Sequence, residues 1–432
     1  MMLHLFCLFL LTGDTTALYN SLEPTSISQH LAFHILYPDS DEGKKALEDA
    51  AKLMQVSAAE LHQNVRAFLQ LTHKSPPPLS DATLQNLQKL GVKLLNRSLK
   101  GFSVVTEKEI KDLKDEEIDL AHALLAIQKQ QKSYEVMLDC LALELLAHLP
   151  PQATDQEKVD AINKLLFFDL GIRFPPHSIS EQAIDTYTDL PSILDSRRGV
   201  CLGVSTLYIA LAQRLNLPLQ IITPPGHIYL ASNDTNIETT ARGIHIPSEE
   251  YLGINERALK TRTLKEVLGM VWVNQGSHHM SASEWKKANE CYEKAAIYMP
   301  NDRPLLTFYA ASCIMLGREK EATALLQKAI RIHDPTLICQ DTLTEDLLQK
   351  NYSKSALQAL FCVTDGTRKK EVEKKQALEK ALQECPQFRT GLIHLASVNI
   401  DLHHMKEALK LFEQVYALDQ NFITVAYVLT AL

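Results

Sequence analysis

The sequence has no CxxC pair, no extended basic stripe, no Gly-rich phosphate loop, and little glycine or proline for its 432 residues. Each absence narrows the chemistry. Without CxxC, the eight cysteines at 7, 140, 201, 291, 313, 339, 362 and 385 support neither a zinc ribbon nor a thioredoxin-like redox motif. Scattered along a helical chain, they are also poor evidence for a disulfide framework. Most sit among apolar residues and read as small packing groups; Cys201 is the exception. The net charge is −8 with no clustered Lys and Arg, so the means of neutralising phosphates is missing and nucleic acid is not an expected partner. Only 15 Gly and 18 Pro occur, and long stretches are rich in Ala, Leu, Glu, Lys and Gln, which favours a mainly helical protein. The length exceeds what one hydrophobic core supports and implies two or three domains.

Long apolar runs are also scarce. Residues 3–11 (LHLFCLFLL) are too short to cross a bilayer as a helix. Thr15, Thr16 and Ala17 offer a cleavage site, but no Lys or Arg precedes Lys44. Residues 1–20 therefore read equally as a signal peptide or as a buried N-terminal segment, and cytoplasmic and exported locations both stay open. No other segment reaches transmembrane length, so no integral membrane domain is expected.

Residues 21–134 read as a helical N-terminal region without chemistry. Leu47, Ala51, Leu53, Met54, Ala58, Leu61, Val65, Phe68 and Leu69 keep roughly helical spacing from Asp41 to Leu71. Ser75–Pro78 breaks the chain, Asp81 is the expected cap of the next helix, and Thr106 with Glu109 is spaced as a capping box. Helices are expected from Tyr134 to His148 and from Asp155 to Leu170. The loop Gly171–Ser178 follows.

The informative stretch follows Leu190. Gly199, Val200 and Cys201 lead into a helix carrying Leu202, Val204, Leu207, Tyr208, Leu211 and Leu215. Leu219–Thr223 reads as a strand, Pro224–Gly226 as a tight turn and His227–Ala231 as a second strand. Asn233–Asp234 is a hairpin signal and Asn236–Thr240 a third strand. A cysteine in the first turn of a helix meets free N–H groups and the positive end of the helix dipole, which favour a thiolate. Arg197 and Arg198 add positive charge. Gly199 would let a substrate approach the backbone, whose N–H groups could serve an oxyanion. His227 is aimed by a rigid turn, and Glu238, across the hairpin, could fix its tautomer. Bland alternatives stand beside these: a buried helix-start cysteine, a turn-capping histidine, and a solvated glutamate paired with Arg242. Asn163 and His177 are supporting candidates or simple surface and loop residues. Ser205 and Thr206 read as helix packing.

The run RRGVCLGVSTLYIALAQRLNLPLQIITPPGHIYL, followed by NIETTARG, resembles bacterial transglutaminase-like proteins of the papain-like superfamily that also carry tetratricopeptide repeats. The upstream segment NKLLFFDLGIRFPPHS resembles the entry to that domain. The resemblance places a transglutaminase-like domain at 135–262. It implies a thiol-dependent acyl-transfer fold of protease, peptidase or transglutaminase type. Cys201 would be nucleophile, His227 base and Glu238 orienting acid. The superfamily's usual third residue is Asp, so Glu238 is a departure.

From 269 to 432 the pattern becomes periodic. Ala288 and Ala322 lie 34 residues apart, as do Ala295 and Ala329. Trp272, Gly276, Tyr292, Ala295 and Pro300 fit the tetratricopeptide pattern. A second unit has Leu306, Ala310, Leu326 and Ala329, with Pro335 one residue late. A third has Ala396, Ala408 and Phe412, with Val415 in place of a small residue. Residues 336–388 read as an imperfect helix pair, including Ala377, Ala381 and Pro386. Such repeats imply a protein or peptide partner. His278–His279 and His403–His404 point apart on their helices and lack HExxH, so no metal is assigned, and no cofactor. The expected fold is mainly α with a small α+β core, a papain/transglutaminase-like domain followed by an α-solenoid. Two functions compete: a thiol enzyme, or an inactive papain-like scaffold whose repeats bind a partner.

Overall fold

The computed structural model describes residues 14–420, apart from 73–77, 105, 129–131, 177–184, 225, 252–258, 334–341 and 365. The apolar run at 3–11, Cys7, Cys339, His177, Pro335 and most of the Ser75–Pro78 break lie outside them. The chain forms two compact units. The first comprises residues 1–174, 189–220 and 229–246, and the second 175–188, 221–228 and 247–432. No described helix is long and apolar enough to cross a membrane.

The first unit contains α1 (Thr15–Asn20), α2 (Ile27–Leu36), α3 (Asp41–Met54), α4 (Ala58–His62), α5 (Val65–Thr72), α6 (Asp81–Leu90), α7 (Glu107–Asp112), α8 (Leu120–Ile127), α9 (Lys132–His148), α10 (Asp155–Asn163), α11 (Leu190–Ser196) and α12 (Cys201–Arg214). Serine side chains start several of these helices. Ser26, Ser40, Ser57 and Ser80 each accept a hydrogen bond from the backbone N–H three residues on, satisfying a donor that the helix leaves open. Ser80, not Asp81, is thus the cap of α6. The Thr106–Glu109 capping box forms as expected. The periodic stretch from Asp41 divides into three helices, because Gln55 turns left-handed at φ 55° and closes α3. The 106–131 region is likewise interrupted, with α7 and α8 separated by a short 3-10 turn.

Helix α9 is the hub of this unit, packing against α5, α6, α8 and α12. Its Asp139 is fully buried and accepts a hydrogen bond from Arg214 Nε of α12 at 2.8 Å, while Arg97 pairs with its other oxygen. Desolvation pushes this carboxyl up, against the pull of the two guanidiniums. Helix α12 buries Leu202, Val204, Leu207, Tyr208, Ile209 and Leu211. At roughly 1.5–3 kcal/mol per large apolar side chain, that burial rather than intrinsic propensity holds the helix. Strands β2 (Tyr229–Ser232) and β3 (Thr235–Ile237) also belong here, paired antiparallel with Leu230 opposite Ile237. Asn233 takes the left-handed conformation at φ 50° that the hairpin turn needs.

In the second unit β1 (Gln220–Thr223) pairs antiparallel with β4 (Lys260–Arg262). Nine helices follow among the described residues: α13 (Leu264–Ser281), α14 (Trp285–Tyr298), α15 (Arg303–Met315), α16 (Glu319–Ala329), α17 (Thr342–Leu348), α18 (Lys354–Phe361), α19 (Arg368–Glu384), α20 (Arg389–Asp401) and α21 (Met405–Leu418). Pairs α13/α14, α15/α16 and α20/α21 are tightly packed hairpins, and α14 stacks on α15. The small residues of the repeat lie where the helices touch. Ala288, Ala295, Ala310, Ala329, Ala396 and Ala408 are wholly buried, and Val415 is accommodated equally. The described residues of segment 336–388 hold three helices rather than a pair. The short α17 is tied to α20 through Arg389 Nε and Asp346 at 2.8 Å. The architecture is mainly helical with a small antiparallel β component, and its C-terminal part is a solenoid of helix hairpins.

Candidate active site

Cys201 is the first residue of α12, and the turn before it is built from two segments far apart in sequence. Arg197 closes α11 in the left-handed conformation at φ 59°. Its carbonyl then accepts from Arg173 N–H at 3.1 Å, and Gly199 N–H donates back to the Arg173 carbonyl at 3.1 Å. This two-rung ladder fixes how the chain enters the helix. Residue 173 is placed for it because α10 continues into a π-turn (Lys164–Asp169) that Gly171 ends at φ 67°. Gly199 is buried, and a Cβ there would stand 2.5 Å from Val204 Cγ2. The glycine therefore makes room for its own helix rather than for a substrate.

The sulfur-bearing end of α12 has no side-chain cap at Val200, and Cys201 is half-buried. Uncapped N–H groups and the helix dipole both favour negative charge at this position. The other buried thiols have the opposite environment. Burial pushes Cys140 well up, raises Cys291, and lifts Cys313 to about 11. Among the described residues no group of three His, Cys, Asp or Glu side chains is arranged to hold a metal ion.

Glu238 stands just beyond β3, not on it. It is only 3% exposed, which rules out the solvated-strand reading, while Arg242 is exposed. One carboxylate oxygen accepts from Thr240 N–H at 3.0 Å and from Thr240 Oγ1 at 2.6 Å, so the acid caps a 3-10 turn (Thr239–Ala241). The backbone closes the loop: Glu238 N–H reaches the Ile244 carbonyl at 3.0 Å, and Gly243 N–H returns to the Glu238 carbonyl at 2.8 Å. Gly243 sits at φ 75°, and a Cβ there would run into the Asn163 carboxamide. Asn163 Nδ2 donates to the Gly243 carbonyl at 3.3 Å, so this side chain braces the loop of Glu238 rather than facing solvent.

Cys201 and Glu238 are linked through one further contact. Ser205 Oγ, one turn after Cys201, lies 3.1 Å from Thr239 Oγ1 in a fully buried pair. Helix α12 is thereby pinned to the residue next to Glu238. Sequence reasoning read Ser205 as packing; its partner is 34 positions away, and no local pattern announces it. Thr206 bonds within its helix, to the Gly203 carbonyl. His227 falls in the second unit. There its N–H donates to the Pro224 carbonyl at 3.0 Å across a turn that uses Gly226 at φ 71°, and its ring stacks with Tyr251 at 5.9 Å. Of the other histidines, His279 bonds Glu284 at 2.6 Å, and His404 lies 3.3 Å from Lys375 Nζ, which disfavours a cation there.

No match was found among curated proteins. Among solved structures, the crystal structure of the yeast Tom70 aligns over 94% of this chain and 88% of that one, at 13% identity and a TM-score of 0.18, too low to inform the fold or a partner. Residues 132–266, which contain Cys201, His227 and Glu238, match the model of the Transglutaminase-like superfamily.

Proposed function

We propose that the chain is a thiol-dependent acyl-transfer enzyme, a hydrolase or transglutaminase, with Cys201 as nucleophile, His227 as base and Glu238 as the acid that orients it. The helix hairpins then serve to bind a protein or peptide. The observation that supports the reading best is the link within one unit between an uncapped, half-buried helix-start cysteine and a buried glutamate, through Ser205 and Thr239. In the reaction the Cys201 thiolate adds to an amide carbonyl. The tetrahedral intermediate collapses to a thioester as His227 gives a proton to the leaving amine, and water or a second amine then takes the acyl group. The open N–H groups of the first turn of α12 are donors suited to the oxyanion.

Alkylation of each cysteine followed by mass spectrometry over a range of pH tests this directly. Cys201 should label fast at about pH 6 and lose that advantage in His227→Ala. Cys140, Cys291 and Cys313, with thiols raised by burial, should lag throughout. If Cys201 labels no faster than Cys291 or Cys313, the triad is inert and the chain is a papain-like scaffold for its repeats.

A further inference from the structure

We infer that a small cavity beside the Cys201 helix is an anion subsite that receives a substrate carboxylate, such as an acidic side chain next to the reacting amide. This deepens the acyl-transfer reading and rests on it for the word substrate, though not for the binding. The cavity has a volume of about 230 Å³ and lies within the first unit. Arg173 and Arg242 line it together with Thr239 and Thr240, and Phe167, Phe174 and Val204 supply apolar wall. Val204 is three residues past Cys201, on the same face of α12.

The charged side chains that line it are both arginines, while the Glu238 carboxylate stands behind the wall, bonded to Thr240 N–H and Oγ1. The charges of Arg242 and Arg198 both act on Arg173, and Arg173 bonds only to carbonyls among the described residues. The Arg173 guanidinium is anchored by Nη1, which donates to the Ile172 carbonyl at 2.7 Å and to that of Phe167, so the fork is held without neutralising its charge. Its pKa is lowered, first by desolvation and then by the charges of Arg242 and Arg198. A bound anion relieves that repulsion, and a planar guanidinium suits a carboxylate or a phosphate. The size and walls narrow the choice. The volume is below that of sites for drug-sized ligands, and the aromatic and aliphatic side favours a short methylene stem behind the charge over a bare phosphate.

The test uses the full chain as Cys201→Ser, so that binding is read without turnover, and measures the α-methylamides of N-acetylglutamate and N-acetylglutamine, which differ in charge only at the side chain, and inorganic phosphate by calorimetry. The glutamate derivative should bind and the glutamine derivative should not. Arg242→Gln, at an exposed position, and Arg173→Gln should each weaken the acid by about tenfold. Equal binding of the acid and the amide, or binding unchanged in both variants, would overturn the subsite. Phosphate binding tighter than the glutamate derivative would overturn the carboxylate assignment. Selective acid binding in a protein whose wild-type Cys201 fails the alkylation test would uphold the subsite and remove the enzyme reading alone.

Discussion

The helix hairpins of the second unit and the surroundings of Cys201 in the first unit are held together by different means. In the hairpins one solution recurs: Ala310, Ala322, Leu326 and Ala329 return as Ala396, Ala408, Phe412 and Val415 with the same internal spacing, all of them buried. Around Cys201 and along α12 each contact occurs once and joins distant residues, as in Arg173 with Gly199, Ser205 with Thr239, and, at the far end of the helix, Asp139 with Arg214. A repeated small-residue interface confines damage to its neighbours. A hub with unique polar ties spreads it.

The widest separation should come from Asp139→Ala. Removing the carboxylate leaves the fully buried Arg214 and the nearly buried Arg97 without their counter-charge, a change that costs about 3–5 kcal/mol. Urea denaturation should show that loss, together with accelerated hydrogen exchange in α9 and α12 and unchanged exchange in α20 and α21. Exchange rising equally in all four helices would erase the proposed contrast.

Gly276→Leu probes the repeated side with a smaller expected effect. A Cβ at 276 would stand 2.6 Å from the Tyr292 ring, so the larger side chain must force α13 and α14 apart, at about 1–3 kcal/mol. Exchange should rise in α13 and α14 and die away by α20. A uniform rise would mean that the hairpins behave as one cooperative block.

The same contrast governs how much could be read from sequence. Helix α12 begins at Cys201 as its pattern implied, because an apolar face of period 3.6 and a preceding glycine are local signals. The Asn233–Asp234 hairpin and the spacing of Ala288 with Ala322 are local in the same sense. The Gln55 break in α3 and the ending of β3 at Ile237 were not legible. In the second case the Glu238 side chain captures Thr240 N–H and draws the chain into a turn where propensity favoured strand. The role of Gly199 depends on Val204 and Ile193 filling the space above it, and that of Asn163 on Gly243, 80 residues away. The arginine-lined cavity brings together residues 173 and 242, whose meeting only the folded loops decide.

The smallest predicted effect gives the hub a pH signature. His122 of α8 bonds Glu135 of α9 at 3.0 Å. Burial is the largest single influence and lowers the imidazole, but the Glu135 carboxylate, the Val104 carbonyl and Asp119 together outweigh it, and the net pKa is raised. A histidine raised on folding binds its proton more tightly in the native state. Its stabilisation is fully present below the unfolded value of about 6.5 and is lost as pH climbs through the higher folded value. Glu135→Gln keeps the shape and removes the charge. The variant should therefore be less stable than wild type by about 1 kcal/mol at pH ~5.5, with the gap closing by pH ~9. A gap that stays constant over that range would mean that Glu135 holds α8 to α9 by packing alone, and that the polar ties around Asp139, rather than ionised pairs in general, distinguish the hub from the hairpins.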